Sequence, residues 1–352
     1  MKRFLLGLIL LSNVVLGQTV VNYSNEFMNI GVDAAAFGMS NAVVASTSDV
    51  NSGYWNPAGL INLEDNQLAL MHANYFANIA QYDYAAFAMP IDEDSAWGIS
   101  LIRFGVDDIL NTTQLIDAGG VINFDNVSLF SAADYGVTFS YARNLKIPGF
   151  SWGANAKVIR RVIGDFAKSW GVGFDLGFQF KRSNWEYGIM LRDITTTYNT
   201  WQIDEDALQT SNPNIPEQRL PETMEITKPK MQLGIARNFT FHYDYTLRAE
   251  LDLNMRFAET NDIFSTSAVS FTPAVGLEFG YTDLVFVRAG VGNFQNTPGI
   301  DGSDETSFQP NLGVGFKYKG IQIDYSLTDL GDQSAAIYSN VFSIKIDWTL
   351  FR

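Results

Sequence analysis

Residues 169–180 read SWGVGFDLGFQF, and two kinds of side chain alternate along the whole stretch. Trp170, Val172, Phe174 and the even-numbered residues that follow are apolar, whereas the residues between them are Gly, Asp and Gln. Such alternation is typical of a β-strand, whose successive side chains point to opposite faces. About twelve residues is long for a soluble sandwich strand and sufficient to cross a bilayer at a tilt. We expect the apolar face to contact lipid and the small polar face to line a lumen.

The same alternation recurs along the chain after residue 66. Residues 243–253 place Arg248 and Glu250 on one face, and charges of this kind are costly against lipid, so that face is predicted to line the lumen. Fourteen strands are predicted, at 67–76, 80–89, 95–104, 134–143, 150–161, 169–180, 184–192, 229–239, 243–253, 274–282, 284–292, 311–319, 320–328 and 340–351. Fourteen is even, as a single-chain bacterial barrel requires. The sequence therefore predicts a 14-stranded antiparallel outer-membrane β-barrel.

The connections between the predicted strands form a short class and a long class that alternate. The short connections are at 90–94, 144–149, 181–183, 240–242, Asp283 and Lys319-Gly320. The long connections are at 105–133, 193–228, 254–273, 293–310 and 329–339, and 77–79 and 162–168 are brief exceptions at the same end. Short periplasmic turns opposite long outer loops are expected of such barrels.

The composition excludes several classes of function. Only 17% of the 352 residues are charged, against roughly 25% in soluble domains. The chain has no cysteine, which excludes disulfides, thiolate metal sites, a Cys nucleophile and a lipid anchor on an N-terminal Cys. The net charge of −15 argues against a nucleic-acid partner, because the phosphate backbone would be repelled.

The N-terminus has the features of a cleaved signal peptide. Lys2 and Arg3 supply the positive region, residues 4–11 the apolar core, and residues 12–17 a cleavage region before Gln18. No later segment offers about 20 consecutive apolar residues. We therefore predict a signal peptide at 1–17, an N-terminal hatch segment at 18–66 and a barrel at 67–352.

Residues 27–60 are rich in small side chains, among them Gly31 and Gly38, which let backbone approach other backbone closely. The stretch ends in Tyr54-Trp55-Asn56-Pro57-Ala58-Gly59, where the Asn-Pro pair favours a turn. We expect this segment to plug the barrel lumen. The alternative is a short surface helix that precedes an ordinary β-domain.

The small-residue run with Gly31 and Gly38, then Asp49, then Trp55-Asn56-Pro57-Ala58-Gly59, resembles the hatch of FadL-like outer-membrane barrels. It is most similar to the PorV/PorQ family, which is associated with the type IX secretion system of Bacteroidetes. The resemblance implies a plugged barrel in the outer membrane of a Gram-negative, Bacteroidetes-like bacterium. It also implies partners: a large translocon barrel, secreted cargo proteins with a C-terminal signal domain, or both, besides outer-membrane lipid.

A FadL-like channel for uptake of hydrophobic small molecules is the alternative function. It predicts an apolar pocket between the outer loops and the hatch, and Phe104, Phe124, Phe130 and Phe294 either line this pocket or form the core of the loops. The acidic outer loops argue against it, because they disfavour the approach of fatty-acid carboxylates. The hatch motif that precedes the barrel is more similar to the PorV/PorQ form than to that of the uptake channels, so the secretion role is the main expectation.

An enzyme is not expected. The chain has two histidines, His72 on a mostly apolar strand face and His242 in a predicted turn, and it lacks the Gly-x-Ser-x-Gly, His-Glu-x-x-His and phosphate-loop motifs. Without such residues, hydrolytic chemistry has no base beside a nucleophile. No catalytic residue, cofactor or metal is predicted.

The longest predicted loop, 193–228, is the first candidate for contact with a partner. It mixes aromatic, acidic and Pro residues, and Trp and Tyr are frequent at binding hot spots. The candidate residues are Tyr198, Trp201, Asp204, Glu205 and Asp206. The sequence leaves three roles open for the acidic loops: a solvated outer face, binding of divalent cations, or docking of a basic partner.

Overall fold

The structure is a computed structural model that describes residues 24–75, 79–116, 119–204, 207, 224–242, 244–298, 304–328 and 338–348. The predicted signal peptide at 1–17 and the candidate residues Glu205 and Asp206 lie outside the described residues. Within the described ranges, no helix is long and apolar enough to cross a membrane.

The strands form one antiparallel sheet that closes on itself, because β1 pairs with both β2 and β17. In chain order the strands are β1 (Gln67–Tyr75), β2 (Ala80–Asp92), β3 (Ser95–Asn111), β4 (Ser128–Asn144), β5 (Phe150–Ile163), β6 (Ala167–Arg182), β7 (Trp185–Arg192), β8 (Thr197–Ile203), β9 (Met224–Thr227), β10 (Lys230–Phe241), β11 (Tyr245–Arg256), β12 (Phe264–Ser265), β13 (Ser270–Tyr281), β14 (Val285–Pro298), β15 (Asp304–Tyr318), β16 (Ile321–Thr328) and β17 (Ser339–Asp347). Closure removes the free edges that an open sheet would present.

Three of these strands are not separate positions in the wall. β7 and β8 both pair with β6, β7 at its short-turn end and β8 at its long-loop end. In the same way, β9 pairs with β8 on the long-loop side of the β7–β10 pairing. β12 is only two residues long and pairs with β13. The remaining strands are the fourteen of the barrel. The prediction of a 14-stranded antiparallel barrel is confirmed.

The long connections are shorter than predicted, because strands extend further at that end. β3 continues to Asn111 and β4 begins at Ser128, so the predicted loop 105–133 is partly a hairpin. β8 and β9 likewise occupy part of the predicted loop 193–228. The prediction followed apolar alternation, which ends where polar residues such as Asp107 replace the lipid-facing ones. Backbone pairing continues beyond that level.

The two faces of the wall follow the alternation of the sequence. On β6, Trp170 is 56% exposed and Phe174 is 47% exposed, whereas Asp175, next to Phe174 in the chain, is 2% exposed. On β11, Glu250 is 2% exposed and faces inward, as predicted from its charge. The outer face is a belt of apolar and aromatic side chains, and the inner face carries glycines and polar groups.

Residues 24–66, here called the inner segment, lie inside the barrel. They contain α1 (Ala34–Gly38), α2 (Ser52–Trp55) and two 3₁₀ helices, Glu26–Asn29 and Pro57–Asn62. Asp33 caps α1 by accepting a hydrogen bond from the Ala35 N–H. Val32 and Leu60 are fully buried, so the segment is not the surface helix of the alternative prediction.

Candidate functional site

The Trp55-Asn56 pair joins two parts of the inner segment to the wall. Trp55 Nε1 donates to the Val32 carbonyl at 3.1 Å. Asn56 Nδ2 donates to the Val44 carbonyl and to the Phe178 carbonyl of β6, at 3.0 Å each. Asn56 is fully buried. A side chain that satisfies two backbone carbonyls at this depth fixes the position of the segment.

The small residues of the motif allow this close packing. The backbone at Gly31 has a φ of 115°, which favours glycine. A Cβ on Gly38 would lie 3.0 Å from the Gly313 Cα of β15. Pro57 begins the second 3₁₀ helix, and a Cβ on Gly59 would overlap the Thr47 carbonyl. The residues of the predicted hatch motif thus lie together in the inner segment.

Lys345 of β17 binds two carboxylates of the inner segment. Its Nζ lies 3.2 Å from Asp33 Oδ2 and 2.8 Å from Asp49 Oδ2. Ser343 of the same strand donates to Asp33 at 2.7 Å, and Asn51 donates to Asp33 at 2.9 Å. The wall therefore holds both ends of the small-residue run through one cation.

This arrangement gives the inner segment an acid-sensitive attachment. Burial by itself raises the pKa of Asp33, but the charge of Lys345 and the hydrogen bond from Ser343 outweigh burial, so the pKa of Asp33 lies below its ordinary value. A lowered pKa stabilises the folded state at pH values above the unfolded pKa of about 3.9, and this stabilisation is lost as the pH falls below that value.

We expect Asp33→Asn to reduce the stability of the folded protein by about 2 kcal/mol at pH 7, because charge-assisted hydrogen bonds are lost. The difference between the variant and the unaltered protein should shrink as the pH falls below about 4, because Asp33 is then protonated in the unfolded chain before it is protonated in the folded one. Scanning calorimetry between pH 7 and pH 3 measures this difference. A difference that stays constant over that range would contradict the assignment.

A second attachment uses two carboxyl groups of β11. Glu250 accepts a hydrogen bond from the Ala45 N–H at 2.7 Å, and Asp252 accepts from Val43 and Val44 at 3.0 and 3.1 Å. The sequence placed Glu250 on the lumen face but gave no sign of its partner. The partner is backbone, which has no side-chain signature in a sequence.

Two cations, on β10 next to β11 and on β7 beyond it, hold the inner segment near its start and near its end. Arg192 of β7 donates to the Tyr54 carbonyl at 2.9 Å, and its guanidinium lies over the Tyr54 ring. Lys230 of β10 lies 2.8 Å from Glu26 Oε1. The inner segment is thus attached to strands on several sides of the barrel.

The interior has an apolar half and an ionic half. Next to β1–β3, inner-segment residues pack on buried wall side chains that include Tyr82, Tyr84 and Ile102. Next to β13–β17, the wall presents ion pairs: Arg288 lies 2.6 Å from Glu278 and 2.7 Å from Asp324. The inner segment therefore separates two chemically different surfaces.

Two cavities flank the inner segment. One of about 320 Å³ reaches toward the end of the short turns and is lined by Asp33, Asp49, Arg288 and Lys345, among others. The other, of about 270 Å³, reaches toward the end of the long loops and is lined by Arg192, Lys230 and Arg256 together with amide side chains. Trp55 lines both cavities. Trp55 therefore lies between the two cavities.

The predicted pocket of four phenylalanines does not form. Phe104 packs inside the barrel near Tyr82, with ring centroids 6.1 Å apart, whereas Phe124 is 75% exposed. Phe130 pairs with Phe166, and Phe294 pairs with Phe308. These rings make local contacts at separate places, because neighbouring strands and loops offer nearer aromatic partners.

The candidate partner-contact residues lie on and beside β8. Tyr198 points outward and is 52% exposed, whereas Trp201 points inward and lies under the Arg161 guanidinium at 5.1 Å. Asp204 follows the strand and caps a turn by accepting from the Ala207 N–H. The strand alternation thus separates the two aromatic residues, and contact with a partner stays a prediction.

The fold itself has relatives of known structure. TodX, a toluene transporter of Pseudomonas putida, superposes with a TM-score of 0.57 at 12% identity, covering 90% of this chain and 98% of TodX. The chain shares the fold of the FadL-like barrels. A FadL homologue of Pseudomonas aeruginosa and the toluene transporter TbuX of Ralstonia pickettii each give a TM-score of 0.53 at 12% identity, with the same 90% and 98% coverage.

Comparisons of the sequence alone give no match. No protein-family profile matches the chain. No curated protein sequence matches it either. The likeness therefore lies in the arrangement of the strands.

Proposed function

We propose that the protein is an outer-membrane channel for hydrophobic small molecules, closed at rest by the inner segment. The observation that carries the proposal is the single layer containing Trp55, which separates a cavity on the loop side from a cavity on the turn side. A barrel with an aqueous cavity at each end of a removable layer is suited to gated passage. The apolar outer belt supports placement in a membrane.

The names of the structural relatives support the hydrophobic class of solute. TodX and TbuX are described as toluene transporters, and CymD, with a TM-score of 0.56 at 12% identity, as a monoaromatic hydrocarbon channel. In this chain, the apolar half of the interior offers a matching surface. Displacement of the inner segment from β1–β3 would expose Tyr82, Tyr84 and Ile102 to a passing solute.

Whole-cell uptake of radiolabelled toluene tests the proposal. A Gram-negative host without its own toluene channel should accumulate toluene faster when it makes this protein than when it carries an empty vector. Benzoate, which is charged, serves as the solute control in the same cells. Equal toluene uptake with and without the protein, at matched amounts of folded barrel, would refute the hydrophobic-channel proposal.

The secretion role implied by the resemblance to the PorV/PorQ family is a separate proposal. The relatives named above are a FadL homologue, transporters and a channel, so they favour uptake over secretion. Purification of the tagged protein from its own outer membrane tests the role. Co-purification of a very large barrel, or of exported proteins with a common C-terminal domain, supports it; recovery of the barrel alone argues against it.

A further inference from the structure

A row of polar and aromatic residues crosses the outer face of β1–β6. The strand registers align its members as direct neighbours. The aligned pairs are His72–Asp83, Asp83–Arg103, Arg103–Tyr135, Tyr135–Arg160 and Arg160–Trp170. The row therefore crosses six adjacent strands, and because the strands of a barrel are tilted it rises toward the long loops from β1 to β6.

On β5 and β6, this row marks the upper edge of the apolar belt. From the row toward the short turns, the next outward residues are apolar; they include Leu70, Ala85, Leu101, Val137, Val158 and Val172. Several are highly exposed, for example Leu101 at 44% and Val172 at 55%, as expected of side chains that face acyl chains. Toward the long loops, the next outward residue of β6 is Lys168, and it pairs with Gln202 of β8. Arg160 and Lys168, at the β5–β6 end of the row, thus lie at the level of the outer-leaflet headgroups.

The two halves of the row differ in how their charges are compensated. On β1–β3, Asp83 lies 2.7 Å from His72 and 3.6 Å from Arg103, so a carboxylate is shared between two basic groups. On β5 and β6, Arg160 lies over the Trp170 ring at 4.7 Å. In the part of the chain that the structure describes, neither Arg160 nor Lys168 has a carboxylate within ion-pair distance.

Arg160 and Lys168 lie close enough to share one anion. Arg160 pairs with Trp170 and Val162 pairs with Lys168, so the two cations are diagonal neighbours on one face, typically about 7–8 Å apart. On the other side of β6, Thr200 pairs with Trp170 and Gln202 with Lys168, which adds neutral donors. Uncompensated cations stand out on a chain with a net charge of −15.

We propose that Arg160 and Lys168 bind the phosphate of a phosphorylated glycolipid in the outer leaflet, with Trp170 packed beside the headgroup. Charge selects the phosphate, since each basic residue near a membrane surface attracts anionic lipid. The guanidinium offers a planar set of donors, and its position over an aromatic ring fixes its direction. The proposal rests on the membrane placement in the proposed function and is independent of which solute passes.

Native mass spectrometry of the full-length protein, reconstituted with one defined lipid at a time, tests the site. The probes are a phosphorylated glycolipid and the same glycolipid without its phosphate. The double variant Arg160→Gln, Lys168→Gln should bind the phosphorylated lipid roughly 30-fold more weakly. Arg237→Gln is the matched control, because Arg237 lies over the Trp185 ring at 4.8 Å on the same outer face near the short turns.

The expected result is loss of binding in the double variant and with the phosphate-free lipid, and full binding in Arg237→Gln. Equal binding by the double variant and the unaltered protein would overturn the proposal, as would equal binding of the two lipids. Heat-modifiable gel mobility shows whether each variant is a folded barrel. Single variants at Arg160 and Lys168 replace the double variant if it does not fold. Toluene uptake is measured separately, so failure of the transport proposal is distinguishable from failure of this one.

Discussion

Trp55→Ala is expected to open the lumen. Truncation of a buried Trp costs about 3–5 kcal/mol, because packing is lost and a cavity remains. Trp55 is 4% exposed and also donates a hydrogen bond to Val32, so its loss weakens the closed arrangement and joins the two cavities that it separates. A free-energy change of this size, acting on the equilibrium between the closed and the open lumen, raises the population of open barrels by at least about 100-fold. Swelling of liposomes in a small sugar should report the increase.

The control for this variant is Trp152→Ala. Trp152 lies on the outer face of β5, where the centroids of its ring and the Tyr141 ring are 6.1 Å apart. The same truncation there removes lipid-facing surface and leaves the inner segment untouched. An unchanged swelling rate in Trp55→Ala, with correctly folded barrels in both variants, would show that Trp55 is not part of the closing layer.

Lys345→Met should detach the inner segment from β17. The substitution leaves Asp33 and Asp49 buried without their shared cation, and breaking a buried ion pair costs about 3–5 kcal/mol. The chain has no cysteine, so a single reporter at Ala42, which is fully buried, gives a clean readout. In the Ala42→Cys background, Lys345→Met should raise the rate of maleimide labelling by at least about 100-fold.

Two further variants separate this effect from a general loss of stability. Lys317→Met removes a cation whose ion pair with Asp283 is largely exposed, and such pairs contribute about 0–1 kcal/mol. It should leave labelling unchanged. Asp33→Asn and Asp49→Asn, added together to Lys345→Met, should restore slow labelling because they remove the uncompensated charges. Fast labelling in that triple variant would contradict the electrostatic explanation.

The barrel was predictable because its signal is local and repeated. Lipid on one side and polar groups on the other impose alternation on each strand, as at Trp170–Phe180, and the alternation itself gives the strand and its inner face. The limits of the strands were less predictable. Toward the long loops, β3 and β4 continue past a shift of register between Val106 and Ile109, and this shift interrupts the alternation that the prediction followed.

The attachment of the inner segment was not predictable. Lys345 and Asp33 are 312 residues apart in the chain, and no periodicity connects them. The pair becomes visible only when β17 closes against β1. The pocket of phenylalanines failed for a related reason: composition shows that rings are available, whereas strand register decides which rings meet. Small residues such as Gly38 did carry a usable signal, because close approach to the wall requires them.

Tethering the inner segment to the wall tests the central claim most directly. A Cβ on Gly292 would lie 3.4 Å from the Ser40 Cβ, and a Cβ on Gly53 would lie 3.5 Å from the Ser140 Cβ, near the usual separation of about 3.5–4.5 Å for a disulfide. Cysteines at these four positions fasten the segment to β14 and β4. Toluene uptake should be lost in the oxidised protein and return on reduction; unchanged uptake with both disulfides formed would contradict an inner segment that must move for passage.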